Sequence, residues 1–149
     1  MPHVRVTAFV EAPPETVWAA HIDGPGIAEW FPGARDVEAI SGPLDSPGTT
    51  YSLRFNPLVR SRVEVIEVEA PVMHTRRWDA GLLGTRGTAT LLLRPEEGGT
   101  HVDLDVSYGL PMGPLGRWLE RRTFVRRRAA RDMRRELQAF CAFAERPPG

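Results

Sequence analysis

Residues 113–145 read GPLGRWLERRTFVRRRAARDMRRELQAFCAFAE, and this stretch decides the fold. Projected at about 100° per residue, Leu115, Trp118, Leu119, Val125, Ala129, Met133, Leu137, Phe140 and Ala144 fall on one stripe. Arg117, Arg121, Arg127, Arg128, Arg131, Arg134 and Arg135 fall opposite. The pattern predicts one long amphipathic helix, opened by Pro111-Met112-Gly113-Pro114 and closed before Pro147-Pro148. Such a helix must lay its apolar stripe on something large. Three residues break the pattern. Arg122 and Arg126 project from the middle of the stripe. Phe124 projects among Arg121, Arg128 and Arg131, a position open to three readings: a dimer contact, a membrane contact or a bend in the helix.

Upstream, the chain supplies the surface that the helix needs. Residues 3–11 alternate Val4, Val6, Ala8 and Val10 with Arg5, Thr7, Phe9 and Glu11, the period of a half-buried strand. Pro14 suits the first turn of a helix over 14–22 that turns Val17, Trp18 and Ile22 inward. Gly24-Pro25-Gly26 ends it, and a second short helix runs from Ile27 to Phe31. Strands are then expected near 35–41, 48–55, 59–69, 72–79, 85–94 and 100–109, separated only by turn-forming residues, Gly81 to Gly84 among them. Short connections make successive strands antiparallel neighbours. The expected class is therefore α+β: a curved, seven-stranded antiparallel sheet whose concave face the long helix covers, with two short helices after strand 1. Between sheet and helix lies a space for side chains or for a ligand.

The chain has 149 residues, 42 % apolar and 26 % charged, the size and composition of one domain spanning 1–149. No run approaches the ~20 apolar residues that cross a bilayer, so no integral membrane association is expected. Met1-Pro2-His3-Val4-Arg5 lacks the apolar core of a signal peptide, so a cytoplasmic protein is expected. The single cysteine, Cys141, excludes an internal disulfide and sits among core positions. The net charge of zero hides an asymmetry: residues 1–112 carry nine Arg against fifteen Asp and Glu, whereas 113–149 carry ten Arg against four. Every basic residue is Arg and none is Lys, the usage of a GC-rich bacterial genome.

Several stretches together resemble the START-like (SRPBCC, helix-grip) superfamily, in particular its bacterial polyketide cyclase/dehydrase and lipid-transport branch. Val10-Glu11-Ala12-Pro13-Pro14-Glu15-Thr16-Val17-Trp18 is similar to the opening signature, and Glu29-Trp30-Phe31-Pro32-Gly33 to the second helix and its proline. Val65-Ile66-Glu67-Val68-Glu69-Ala70-Pro71, Gly87-Thr88-Ala89-Thr90-Leu91 and Gly113-Pro114-Leu115-Gly116-Arg117-Trp118-Leu119 follow in the expected order. Each marks a turn or packing position, and their order carries the resemblance. It implies a helix-grip fold and a cavity shared by aromatase/cyclases, lipid and quinone carriers and steroid-binding proteins, with no universal catalytic motif. Fold alone does not give function.

A ligand cavity needs apolar walls and a few convergent polar groups. Trp30, Tyr51, Phe55, Trp78, Tyr108 and Trp118 are candidates for the walls, with core filling as the competing role. Trp18 belongs to the signature and is read as structural. Arg62, Arg76, Arg122 and Arg126 are candidates for polar recognition, because a buried guanidinium needs a carboxylate, water or an anionic ligand. An internal ion pair, Arg62 or Arg122 with Glu64, is the competing role. Both faces of strands 59–69 and 72–79 mix polar and apolar residues, so neither is assigned inward. In an enzyme, His74 or Glu64 would shuttle protons.

His101, Asp103 and Asp105 share a solvent face, and no metal is expected. No phosphate loop or dinucleotide fingerprint is present, so no cofactor is expected. Glu120, Asp132 and Glu145 interrupt the arginines, which disfavours nucleic acid. Three functions follow, in order of preference. The first is a carrier or sensor for a small hydrophobic molecule with a polar or anionic group. The second is a cofactor-free polyketide cyclase, aromatase or dehydratase using the same cavity. The third is an interaction module acting through the Arg-rich helix, including a homodimer contact.

Overall fold

The computed structural model describes residues 3–81, 85–110, 113–120 and 122–146, without the side chains of Asn56, Glu120, Thr123 and Phe124. Arg121, the ring of Phe124, Pro111-Met112 and most of the expected Gly81–Gly84 turn lie outside the described residues. The alternating N-terminal stretch forms β1 (His3–Val10). Pro14 opens α1 (Pro14–His21), and α2 (Ile27–Trp30) follows the Gly-Pro-Gly break. Six strands come next: β2 (Asp36–Glu38), β3 (Thr50–Asn56), β4 (Val59–Glu69), β5 (Met73–Asp79), β6 (Arg86–Glu96) and β7 (Gly99–Gly109). The chain ends in α3 (Gly113–Glu120) and α4 (Thr123–Ala144).

The seven strands form one antiparallel sheet in the order β1-β7-β6-β5-β4-β3-β2. Chain neighbours pair through short turns, and β1 closes on β7 because Val4, Val6 and Ala8 lie opposite Val106, Leu104 and Val102. In the two-residue turn between β6 and β7, Gly98 adopts φ +83°, a left-handed conformation open to glycine at little cost. Across the inner face, Tyr51, Val63, Trp78, Gly87 and Tyr108 stand in one row over five strands. Val65, Arg76, Ala89, Val106 and Val4 form the next row.

The mixed pattern of 59–69 has a physical cause. The β4–β5 register shifts between Val65 and Glu67, so Ile66 is an extra residue that changes the phase of the strand. Ser61, Val63 and Val65 point inward before it, and Val68, opposite the buried His74, after it. On β5 the inward set is His74, Arg76 and Trp78, while Arg77 and Asp79 face out with Arg62 and Glu64.

The expected single long helix is two helices. Arg122 has extended backbone (φ −75°, ψ 136°) and caps α4, so the α3 stripe does not run on into that of α4. In α4, Leu137, Phe140, Cys141 and Ala144 are buried, whereas Val125, Ala129 and Met133 pack on the core only partly buried. The C-terminal half of α4 is thus clamped against β1, α1 and α2, and the N-terminal half rests more loosely over the sheet. Among the described residues no helix is long and apolar enough to cross a membrane.

Candidate functional site

Beneath α1, two imidazoles and a backbone carbonyl form a buried chain. His21 follows Val17 by one helical turn and therefore shares its inward face. Its Nε2 lies 3.1 Å from Nδ1 of His74, whose Nε2 lies 2.7 Å from the Leu44 carbonyl oxygen. A carbonyl can only accept, so His74 carries its hydrogen on Nε2. Its Nδ1 then accepts from the N–H at His21 Nε2. The rings are 4 % and 2 % exposed and lie edge-on to Trp18 and Phe140. Burial holds both imidazoles neutral: His74 is lowered to about 4, and His21 falls well below the ordinary histidine range. The positive charge of Arg76 pushes both in the same direction.

One position further along the inner face of β5, Arg76 reaches Glu136 of α4 at 3.3 Å, with only 12 % and 13 % of the two side chains exposed. Burial raises the Glu136 carboxyl above its ordinary range, and Arg76 opposes that rise. Burial likewise raises the Tyr51 phenol. Tyr51, His21, His74 and Arg76 share with Trp30 and Leu44 the wall of an internal cavity of about 10 Å³, space for about one water centre. The indole Nε1 of Trp30 is buried with no hydrogen-bond partner among the described residues. An orphaned buried donor forfeits its hydration and marks a place where a polar atom is wanted.

The structure brings Trp30, Tyr51 and Arg76 together at this cavity. Phe55 is half-buried beside it, its ring 6.0 Å from that of Phe31. Trp78 and Tyr108 sit further along the inner row, where Trp78 Nε1 donates to Thr85 Oγ1 at 3.1 Å. The other expected residues lie elsewhere. Arg62 points to the outer face, in an open concavity of about 590 Å³ shared with Arg77 and Arg86. Trp118 and Arg122 are exposed, because the break before α4 ends the continuous stripe that had placed them inward, and Arg126 is exposed at the less buried N-terminal end of α4. Arg122 stacks on Trp118 at 4.1 Å and meets no carboxylate among the described residues.

An internal Arg–Glu pair exists, but its members are Arg76 and Glu136. Glu64 faces out and pairs with Arg77 at 2.8 Å. The helical projection could have found Glu136, which falls about 40° from Phe140 on the apolar stripe. His21 was legible in the same way, one turn after Val17. Burial raises the Cys141 thiol to about 11, so it stays unionised and unreactive.

A family model described as polyketide cyclase / dehydrase and lipid transport matches residues 1–145. No curated protein matches the sequence. Among solved structures, the chain is similar to DynU16, a protein of the dynemicin biosynthetic locus, at 22 % identity and a TM-score of 0.71. That likeness covers 96 % of this chain and 47 % of the other, so the chain spans about half the length of DynU16. It is similar to MLL2253 from Mesorhizobium loti at 18 % identity and a TM-score of 0.76, over 99 % of this chain and 100 % of the other. The Aha1 dimer from Colwellia psychrerythraea matches at 18 % identity and a TM-score of 0.72, over the whole of both chains. At these identities the likeness is one of fold.

Proposed function

Because the chain belongs to the polyketide cyclase / dehydrase and lipid-transport family, we propose that its single domain, residues 1–149, holds a small hydrophobic molecule between the sheet and α4. It acts as a cytoplasmic carrier or sensor. The ligand is largely apolar and carries one carbonyl or carboxylate. The observation behind this reading is the unpartnered Trp30 Nε1 beside the wall formed by Tyr51, His74 and Arg76. An acceptor on the ligand takes the Trp30 hydrogen and competes with Glu136 for Arg76. A space for about one water centre does not admit such a molecule, so binding requires the side chains of this wall to move apart.

The test is native mass spectrometry of gently purified protein, followed by identification of whatever dissociates. A retained apolar molecule bearing an acceptor group is expected, with loss of retention in the double variant Arg76→Met, Glu136→Leu. Wild-type protein that emerges empty, and takes up neither long-chain fatty acids nor aromatic polyketides, overturns the reading.

A second reading, a cofactor-free cyclase, aromatase or dehydratase, is favoured by the two neutral imidazoles in series beside Arg76. The lone pair on His21 Nδ1 would take the proton released on enolisation while the Arg76 guanidinium stabilises the enolate. The two readings separate on Arg76→Gln, which in a catalyst lowers kcat far more than it raises KM. A homodimer, as in the Colwellia relative, is tested by sedimentation equilibrium.

A further inference from the structure

α3 presents an apolar pair to solvent. Leu115 and Trp118, three residues apart and so on one face, are 55 % and 52 % exposed. The adjacent face is seated by Gly116, where a Cβ would come within 2.8 Å of the Leu110 carbonyl oxygen, and by the half-buried Leu119. The outward turn of the pair is therefore built into the packing of α3 against the end of β7. Helices α3 and α4 are rich in positive charge: Arg117, Arg122, Arg126, Arg127, Arg128 and Arg131 are all exposed, and none is ion-paired among the described residues. Arg122 lies over the Trp118 ring at 4.1 Å, which places a guanidinium at the edge of the apolar pair.

We infer that α3 and the N-terminal half of α4 form a docking surface for an anionic lipid bilayer. Tryptophan favours the level of the headgroups, leucine the acyl boundary below it, and arginines the negative leaflet surface. A nucleic acid would match the arginines but offers leucine nothing. A second copy docked through the same face would set its arginines against these, like charge against like. The surface shares none of the residues that line the internal cavity.

The test uses the full chain with vesicles of phosphatidylcholine containing phosphatidylglycerol, against vesicles of phosphatidylcholine alone. Trp18 and Trp30 are buried and Trp78 half-buried, so Trp118 dominates any shift in fluorescence. A blue shift and co-sedimentation are expected with the anionic vesicles only, weakening as salt is raised. Leu115→Ser, Trp118→Ser removes the shift while circular dichroism and thermal unfolding stay as in the wild type. Arg117→Gln, Arg122→Gln, Arg126→Gln weakens partitioning about hundredfold, near fivefold for each charge removed. Wild-type protein that ignores anionic vesicles overturns the proposal, as does binding that persists in the Leu115/Trp118 variant. Retention of single-stranded RNA, or a dimer dissolved by Trp118→Ser, in protein that leaves the vesicles free would assign the face to nucleic acid or to a second copy.

Discussion

A proton added to His74 Nδ1 would meet the hydrogen on His21 Nε2, and the 3.1 Å gap holds only one of them. The folded state therefore resists protonation of this pair. An unfolded histidine takes its proton near 6.5, whereas folded His74 does so only at about 4. Over that window the unfolded chain binds more protons, so stability is full above pH 6.5 and falls as pH falls. His74 alone contributes a loss of about 3 kcal/mol by pH 4. His21 acts in the same sense, and the raised Glu136 offsets part of the loss at the acid end. Urea unfolding at pH 7.5 and pH 5 should show this decline, and His74→Gln, whose amide still donates to Leu44, should flatten it. Equal stability at both pH values would contradict the buried neutral pair. For Arg76 and Glu136, removing either partner alone should cost about 3–5 kcal/mol, because it strands a buried charge. Arg76→Met, Glu136→Leu together should restore most of it. Additive losses in a double-mutant cycle would show that the two are not coupled.

Two elements depart from what local pattern predicts, and both departures move functional residues. The extra Ile66 in β4 shifts the strand phase, which turns Arg62 and Glu64 out and Val68 in. A two-residue alternation read straight through 59–69 cannot register that shift. The extended backbone at Arg122 divides the C-terminal helix and turns Leu115 and Trp118 to solvent. In the sheet, Gly87 occupies the inner row between Trp78 and Tyr108, and a Cβ there would meet the Ser107 carbonyl oxygen at 2.0 Å and the Trp78 ring at 2.9 Å. Gly87→Ala should therefore cost about 1–3 kcal/mol through overpacking, measured by denaturant unfolding, and should alter the near-ultraviolet signal of Trp78. A neutral substitution with an unchanged spectrum would mean that the sheet yields at this point.

At the scale of the whole molecule, Phe140 joins the layers. Its ring lies 5.0 Å from that of Trp30 and 5.6 Å from that of His21, so one α4 side chain touches α1 and α2 together. Phe140→Ala should cost about 3–5 kcal/mol. Far- and near-ultraviolet transitions should remain coincident, because sheet and helix share one core. Separate transitions would show that α4 unfolds apart from the sheet. The N-terminal half of α4 packs on the core only partly buried, and the C-terminal half is buried in it. The polar wall lies where the two meet.

The sequence by itself determined the order of elements, the antiparallel sheet and the amphipathic cover, because periodicity and turn residues act locally. It also placed Trp30, Tyr51 and Arg76 among the candidates by residue type, because aromatics line cavities and a buried guanidinium needs a partner, without assigning Arg76 an inward face. Tertiary structure decided which candidates meet. The pairing of Arg76 with Glu136 joins residues sixty positions apart, and the His21–His74–Leu44 chain joins a helix, a strand and a loop. The extra residue of the bulge leaves no trace in a mixed alternation, whereas the helix break left one in the out-of-phase Phe124, which did not say by itself where the chain turns. Long-range contact closes the cavity around those groups, and no local pattern encodes which side chains converge there.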